Sequence, residues 1–170
     1  MAHRIGGPAR SPALMRLLAV DDPRPRVVLD TNAWLDLLHY RDPRGQALAD
    51  ALAAGEVVAI THVECHAEWQ RVLGYRQLKL DAEARAALDA GHDALAHHWS
   101  GASPISDDGP VLPRCDDPDD QKFIELAAAC GAKWLVSRDR AVLALGTRTA
   151  RAGLFWILTP EQWSVAHAPG

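Results

Sequence analysis

The chain has 170 residues, 18 Lys and Arg against 22 Asp and Glu, and a formal net charge of −4. A hydrophobic share of 48% beside 24% charged residues excludes a disordered chain, and this length lets a single domain bury roughly 70% of its unfolded surface. The net acidity excludes wholesale attraction to nucleic acid, so any such binding must rest on local chemistry.

Residues 1–26 stand apart. They carry five Arg, four Pro and only Asp21 and Asp22 as acids, a net +3 against −7 for the rest. Residues 1–25 are therefore expected to form a flexible N-terminal arm, or to include a start assigned too early, with Met15 the true one. The apolar stretch Ala13–Val20 is broken by Arg16 and precedes no A-x-A site, which argues against a signal peptide. Runs such as 154–158 are far too short for the ~18 residues of a membrane helix. Cys65, Cys115 and Cys130 are odd in number and lack C-x-x-C spacing, so no disulfide framework is indicated. A soluble, cytoplasmic protein is the expectation.

After the arm, strands and helices alternate. Residues 26–30 (Arg-Val-Val-Leu-Asp) form a short β-branched run that predicts a buried strand, and 57–60, 134–136 and 154–158 repeat the type. Between them, Ala47, Leu48, Ala51 and Leu52 make one helical face stopped by Gly55. A second helix follows Thr61, whose spacing to Glu64 fits a capping box. Leu80, Ala84, Leu88, Gly91, Leu95 and Trp99 step by three or four behind Asp81 as cap. Phe123, Ala127 and Cys130 do the same before Gly131. This alternation predicts an α/β fold: a parallel sheet of about four to five strands flanked by helices on both faces.

A right-handed crossover sets the second strand beside the first, and the long helical stretch before Trp134 lets the third flank the first on its other side. A topological switch point then lies between strands 26–30 and 134–136, where open α/β sheets bind ligands. Asp30 ends the first strand and Asp139 lies just past the third. Asp116, Asp117, Asp119 and Asp120 start the helix that feeds the third strand, and Glu68 follows the second. Each has a plain structural explanation alone; Asp117 with Pro118 is a good helix cap. Together they converge on one crevice. Carboxylates crowded without Lys or Arg require protons or a cation, and hard oxygen donors select Mg²⁺ or Mn²⁺.

Asp30-Thr31-Asn32 after an apolar strand, Glu68-Trp69 before Val72-Leu73, the run Asp117-Pro118-Asp119-Asp120-Gln121-Lys122-Phe123, and Val136-Ser137-Arg138-Asp139 before Val142-Leu143 resemble the signature of PIN-domain proteins. The set is similar to the branch of toxins from bacterial toxin–antitoxin pairs and covers residues 26–165, leaving 166–170 as a tail. The resemblance implies that Asp30, Glu68, Asp120 and Asp139 bind divalent metal and serve catalysis, with Asn32 and Ser137 supporting them; Asp117, the cap, is counted with that support. Gln121 stands where members of this branch usually carry Asn. The implied protein is an Mg²⁺- or Mn²⁺-dependent ribonuclease, often dimeric and restrained by a cognate antitoxin.

Fifteen of the 18 basic residues are Arg. Arg138 and Arg140 beside Asp139, and Arg41 and Arg44 after the first helix, are candidate phosphate contacts. His62 and His66 raise the alternative of a zinc centre, but Glu64 is rotated ~200° from His62, and no third ligand is evident from the spacing. The expectation is no stoichiometric zinc. The six Trp are read as core residues, with Trp34 or Trp69 as candidates for a dimer interface. A non-enzymatic α/β interaction module with a vestigial acidic site is the alternative function. A phospho-acceptor receiver domain is disfavoured, because Thr31 replaces a paired acid and no Lys follows the last strands.

Overall fold

The computed structural model describes residue 18 and residues 21–101 and 111–167. Among them, five strands form one parallel sheet: β1 (Arg26–Leu29), β2 (Val58–Thr61), β3 (Ala96–His98), β4 (Trp134–Val136) and β5 (Trp156–Leu158), in the order β3-β2-β1-β4-β5. The central strand pairs Val27 with Ala59 on one side and Val28 with Leu135 on the other. The chain reverses direction across the sheet at β1, so the expected switch point lies between the carboxyl ends of β1 and β4.

Alternation along the strands divides the interior into two cores, one on each face. Val28, Ile60, Leu135 and Ile157 meet Phe123, Ile124 and Ala127 of α5 (Gln121–Ala129), together with Val142 of α6 (Arg140–Leu143) and Leu145 ahead of α7 (Gly146–Arg151). On the other face Val27, Leu29, Ala59 and Val136 meet four helices. These are α1 (Thr31–Leu38), α2 (Gln46–Ala53), α3 (Val63–Leu73) and α8 (Pro160–His167), which contribute Trp34, Leu48, Trp69 and Trp163 among others. Leu88 and Leu95 of α4 (Ala82–Leu95) pack against the same core. Among the described residues no helix is long and apolar enough to cross a membrane.

Local signals set most boundaries. The Asp81 carboxylate accepts the Ala84 N–H at 2.8 Å and starts α4. Gly131, at φ +65°, ends α5 in the left-handed conformation that side chains resist. Three expectations change. The helix expected to run through Trp99 stops at Leu95, and the next three residues become β3, because the free edge of β2 offers backbone partners; the Trp99 N–H donates to Thr61 O at 2.9 Å. Thr61 is no cap: it ends β2, and His62 occupies the N-cap of α3 without a side-chain bond. Trp34 and Trp69 are 3% and 1% exposed and belong to the core, which removes them from any interface.

The expected arm falls mostly outside the described residues, at 1–17, 19 and 20, but Leu18 is buried in the α5-side core. At that residue the segment packs on the domain. The expected tail begins later than position 166, since α8 extends to His167, which stacks on Trp163; residues 168–170 lie outside the description.

Two glycine substitutions separate backbone strain from helix propensity. Gly131→Ala meets no atom within 4 Å of its new Cβ but keeps the positive φ, and should lose about 1–2 kcal/mol. Gly91→Ala, inside α4, places its Cβ 3.7 Å from Leu38 Cδ2, and should gain roughly 0.5–1 kcal/mol. Urea unfolding of both variants checks the opposite signs.

Candidate active site

At the switch point lies a crevice of about 300 Å³ lined by Asp30, Glu68, Asp120 and Asp139, with Thr31, Asn32 and Phe123 beside them. Four separate segments supply these acids. Asp30 is 3% exposed and follows β1 directly. One of its carboxylate oxygens accepts the Ala33 N–H at 2.8 Å and caps α1; the other accepts the Ser137 hydroxyl. Ser137, fully buried, also accepts the Asp139 N–H at 3.0 Å. Asp139 in turn caps α6 by accepting the Ala141 N–H at 2.8 Å. Ser137 thus ties the acid that follows β1 to the backbone of the acid in the loop after β4.

Asp120 closes the short 3-10 turn Pro118–Asp120 that leads into α5. Asp117 caps that turn through the Asp119 N–H at 3.0 Å, and is exposed outside the crevice lining. Glu68, on α3, accepts the Thr31 hydroxyl and pairs with Lys122 Nζ at 3.0 Å; Arg71 is farther, at 3.9 Å. The expectation of carboxylates without a basic partner is therefore corrected at one position, since Lys122 neutralises Glu68. Thr31 and Lys122 both stood within the motifs, but neither side chain signalled that it would cross to α3.

The remaining charge is concentrated. Burial pushes the Asp30 carboxyl up to about 7; the Ser137 hydroxyl and the Ala33 N–H oppose this, and Asp120 and Asp139 add repulsion. Desolvation likewise raises Asp120 to about 6, with Asp139, Asp117 and Glu68 adding to the rise and Lys122 opposing it. An all-oxygen donor set in which Asp30 and Asp120 resist ionising is suited to a hard dication.

The other expected residues are placed differently. Asn32 is exposed at the crevice wall. Gln121 turns to the backbone: its Oε1 accepts the Cys115 N–H at 2.7 Å and its Nε2 donates to Pro113 O at 3.2 Å, clamping that segment to α5. Arg138 does not line the crevice. Its guanidinium reaches Asp36 at 2.7 Å, Glu161 at 3.1 Å and Asp42 at 3.7 Å, tying α1 and α8 to the turn between α1 and α2. Arg44 pairs with Asp42 at 2.7 Å. Arg41 and Arg140 are exposed. Unforeseen by sequence, Tyr40 and Tyr75 line the crevice while 59% and 47% exposed.

This is an α/β protein with a carboxylate crevice at the switch point of its sheet. A family model described as the PIN domain matches residues 26–141, and the chain belongs to that family, whose members are generally nucleases and typically use divalent metals. No curated protein matches the chain.

The raised carboxyls make stability pH-dependent. Asp30 and Asp120 hold more protons folded than unfolded, so their contribution is complete below the unfolded value near 4 and is lost as pH rises through about 6 and about 7. Metal-free protein should therefore show a falling thermal midpoint from pH 4 to pH 7. Asp120→Asn should flatten that decline and melt no lower than wild type at pH 7; melts in chelator across the range check both.

Proposed function

We propose that the protein is an Mg²⁺- or Mn²⁺-dependent endoribonuclease, the toxin of a toxin–antitoxin pair, acting on single-stranded RNA in the cytoplasm. The observation that carries the catalytic reading is the meeting of Asp30, Asp120 and Asp139 in one crevice, with two of the three carboxyls driven above their ordinary range. Asp30, Asp120 and Asp139 would hold the cation, with Glu68 at the same site. When bound, the cation supplies a water acidic enough to attack at neutral pH and offsets the charge that develops on phosphate.

The chain's own residues do the positioning. Ser137 holds the Asp30 carboxylate and the Asp139 backbone in one frame, and the N-cap bond to Ala141 orients the Asp139 carboxylate. Lys122 steadies Glu68. Tyr40 and Tyr75 offer exposed rings beside the acids on which unpaired bases would stack, which favours a single strand over a duplex. Arg140, exposed and next to Asp139 in the chain, would be a contact for a neighbouring phosphate. The toxin assignment, with a small cognate antitoxin and a homodimer as partners, draws its support from the motif resemblance across residues 26–165.

Cleavage of total cellular RNA by the purified chain tests this reading. Activity should require Mg²⁺ or Mn²⁺, vanish in excess EDTA, and fall to background in Asp139→Asn while that variant still melts cooperatively. Cleavage that survives chelation would overturn the mechanism. A wild-type chain inactive with either cation would instead favour an interaction module.

A further inference from the structure

On α3, two residues from Glu68, stands His66. Its ring does not belong to the acidic crevice: at 100° per residue the two side chains leave the helix about 200° apart. His66 instead faces α4, where His92 and Asp93 approach it. One ligand atom from each of the three lies within 4.8 Å of the other two. His66 Nε2 is 3.4 Å from Asp93 Oδ1, and His92 Nδ1 is 3.9 Å from the same oxygen. The expectation that His66 lacks further ligands is thereby corrected. The residue that its spacing suggests as a partner, His62, caps α3 and lies outside this cluster.

We propose that His66 Nε2, His92 Nδ1 and an Asp93 carboxylate oxygen form a second metal site, selective for a zinc-class dication, that pins α3 to α4. Four observations support it. Tetrahedral zinc, with bonds of about 2.0–2.1 Å, holds its ligand atoms about 3.3–3.4 Å apart; one edge of the cluster already has that length and another exceeds it by about half an ångström. His92 is 1% exposed, yet its Nδ1 has no hydrogen-bond partner, an arrangement that proteins generally avoid and that a metal would resolve. Charge also balances. Asp89 Oδ1 lies 3.2 Å from His66 Nε2, so two carboxylates face the imidazoles and match a dication; Gln70 Nε2 holds the other Asp89 oxygen at 3.0 Å. Finally, two imidazole nitrogens and one carboxylate suit zinc, cobalt or nickel, whereas the all-oxygen crevice suits magnesium or manganese. The two sites select different metals from opposite sides of one helix.

The alternative is a metal-free ion pair between a protonated His66 and its two aspartates. Zinc titration of the full chain against a chromophoric chelator, after EDTA treatment, dialysis and addition of saturating Mg²⁺, decides between them. The site predicts one tightly held zinc per chain and a thermal midpoint that rises with zinc concentration. Cobalt in place of zinc should give the visible absorption of a nitrogen–oxygen site. His66→Ala and the isosteric Asp93→Asn should each weaken zinc binding by about a hundredfold or more, since even residues that merely orient a ligand cost 10–100-fold. Asp139→Asn should leave it intact. Failure of the wild-type chain to retain zinc overturns the proposal and leaves the ion pair. Zinc binding that persists in His66→Ala but disappears in Asp139→Asn overturns it too, by placing the metal in the crevice. None of these readouts depends on RNA cleavage.

Discussion

The carboxyl of Asp30 is the constraint on which the rest of the site depends. It sits at the end of the central strand, almost without solvent, where an ionised carboxylate is expensive unless hydrogen bonds or a cation compensate it. The Ala33 N–H and the Ser137 hydroxyl supply two such bonds and do structural work in doing so. One starts α1; the other extends the pairing of β1 with β4, already continued by the Asp30 N–H to Val136 O at 3.2 Å, into the loop that carries Asp139. The geometry of the crevice is therefore inherited from the register of the sheet. Helix start, strand pairing and acid placement are a single arrangement.

Charge around this centre is sorted into compensated and uncompensated groups. Lys122 neutralises Glu68, and Arg138 is enclosed by Asp36, Asp42 and Glu161 outside the crevice lining. Asp30 and Asp120 are left to repel Asp139 and each other. An acidic crevice of this kind repels a polyanion until a cation occupies it, so in the proposed nuclease one ion would serve both substrate approach and chemistry. The basic residues flanking the motifs contribute less than their positions suggest, because the fold uses the half-buried one, Arg138, as a tie between helices.

Helix α3 links the carboxylate crevice to the His66 cluster. Glu68 points to the carboxylate crevice, His66 to the cluster on α4, and Trp69 is buried between the sheet and the helices. Whatever fixes the contact of α3 with α4 also fixes the helix that presents Glu68. A rigid α3 would keep the Glu68–Lys122 pair in register with α5.

Much of this architecture was legible in the residues themselves. The β-branched runs, the caps at Asp81 and Asp117 and the stop at Gly131 are local signals, readable because they involve residues within about a turn of one another. Strand order followed from crossover handedness, and it brought Asp30 and Asp139 together without coordinates. What only the tertiary structure decided are the pairings across long stretches of chain. Glu68 with Lys122 spans 54 residues, Asp36 with Arg138 spans 102, and His66 with Asp89 spans 23. The conversion of residues 96–98 from helix to strand belongs with these, since it depended on the free edge of β2. Periodicity states which face of an element is buried, but not which polar partner will stand opposite it. That choice is made when the helices close over the sheet, because desolvation then forces each buried charge or imidazole to find a partner among whatever groups the packing has brought near.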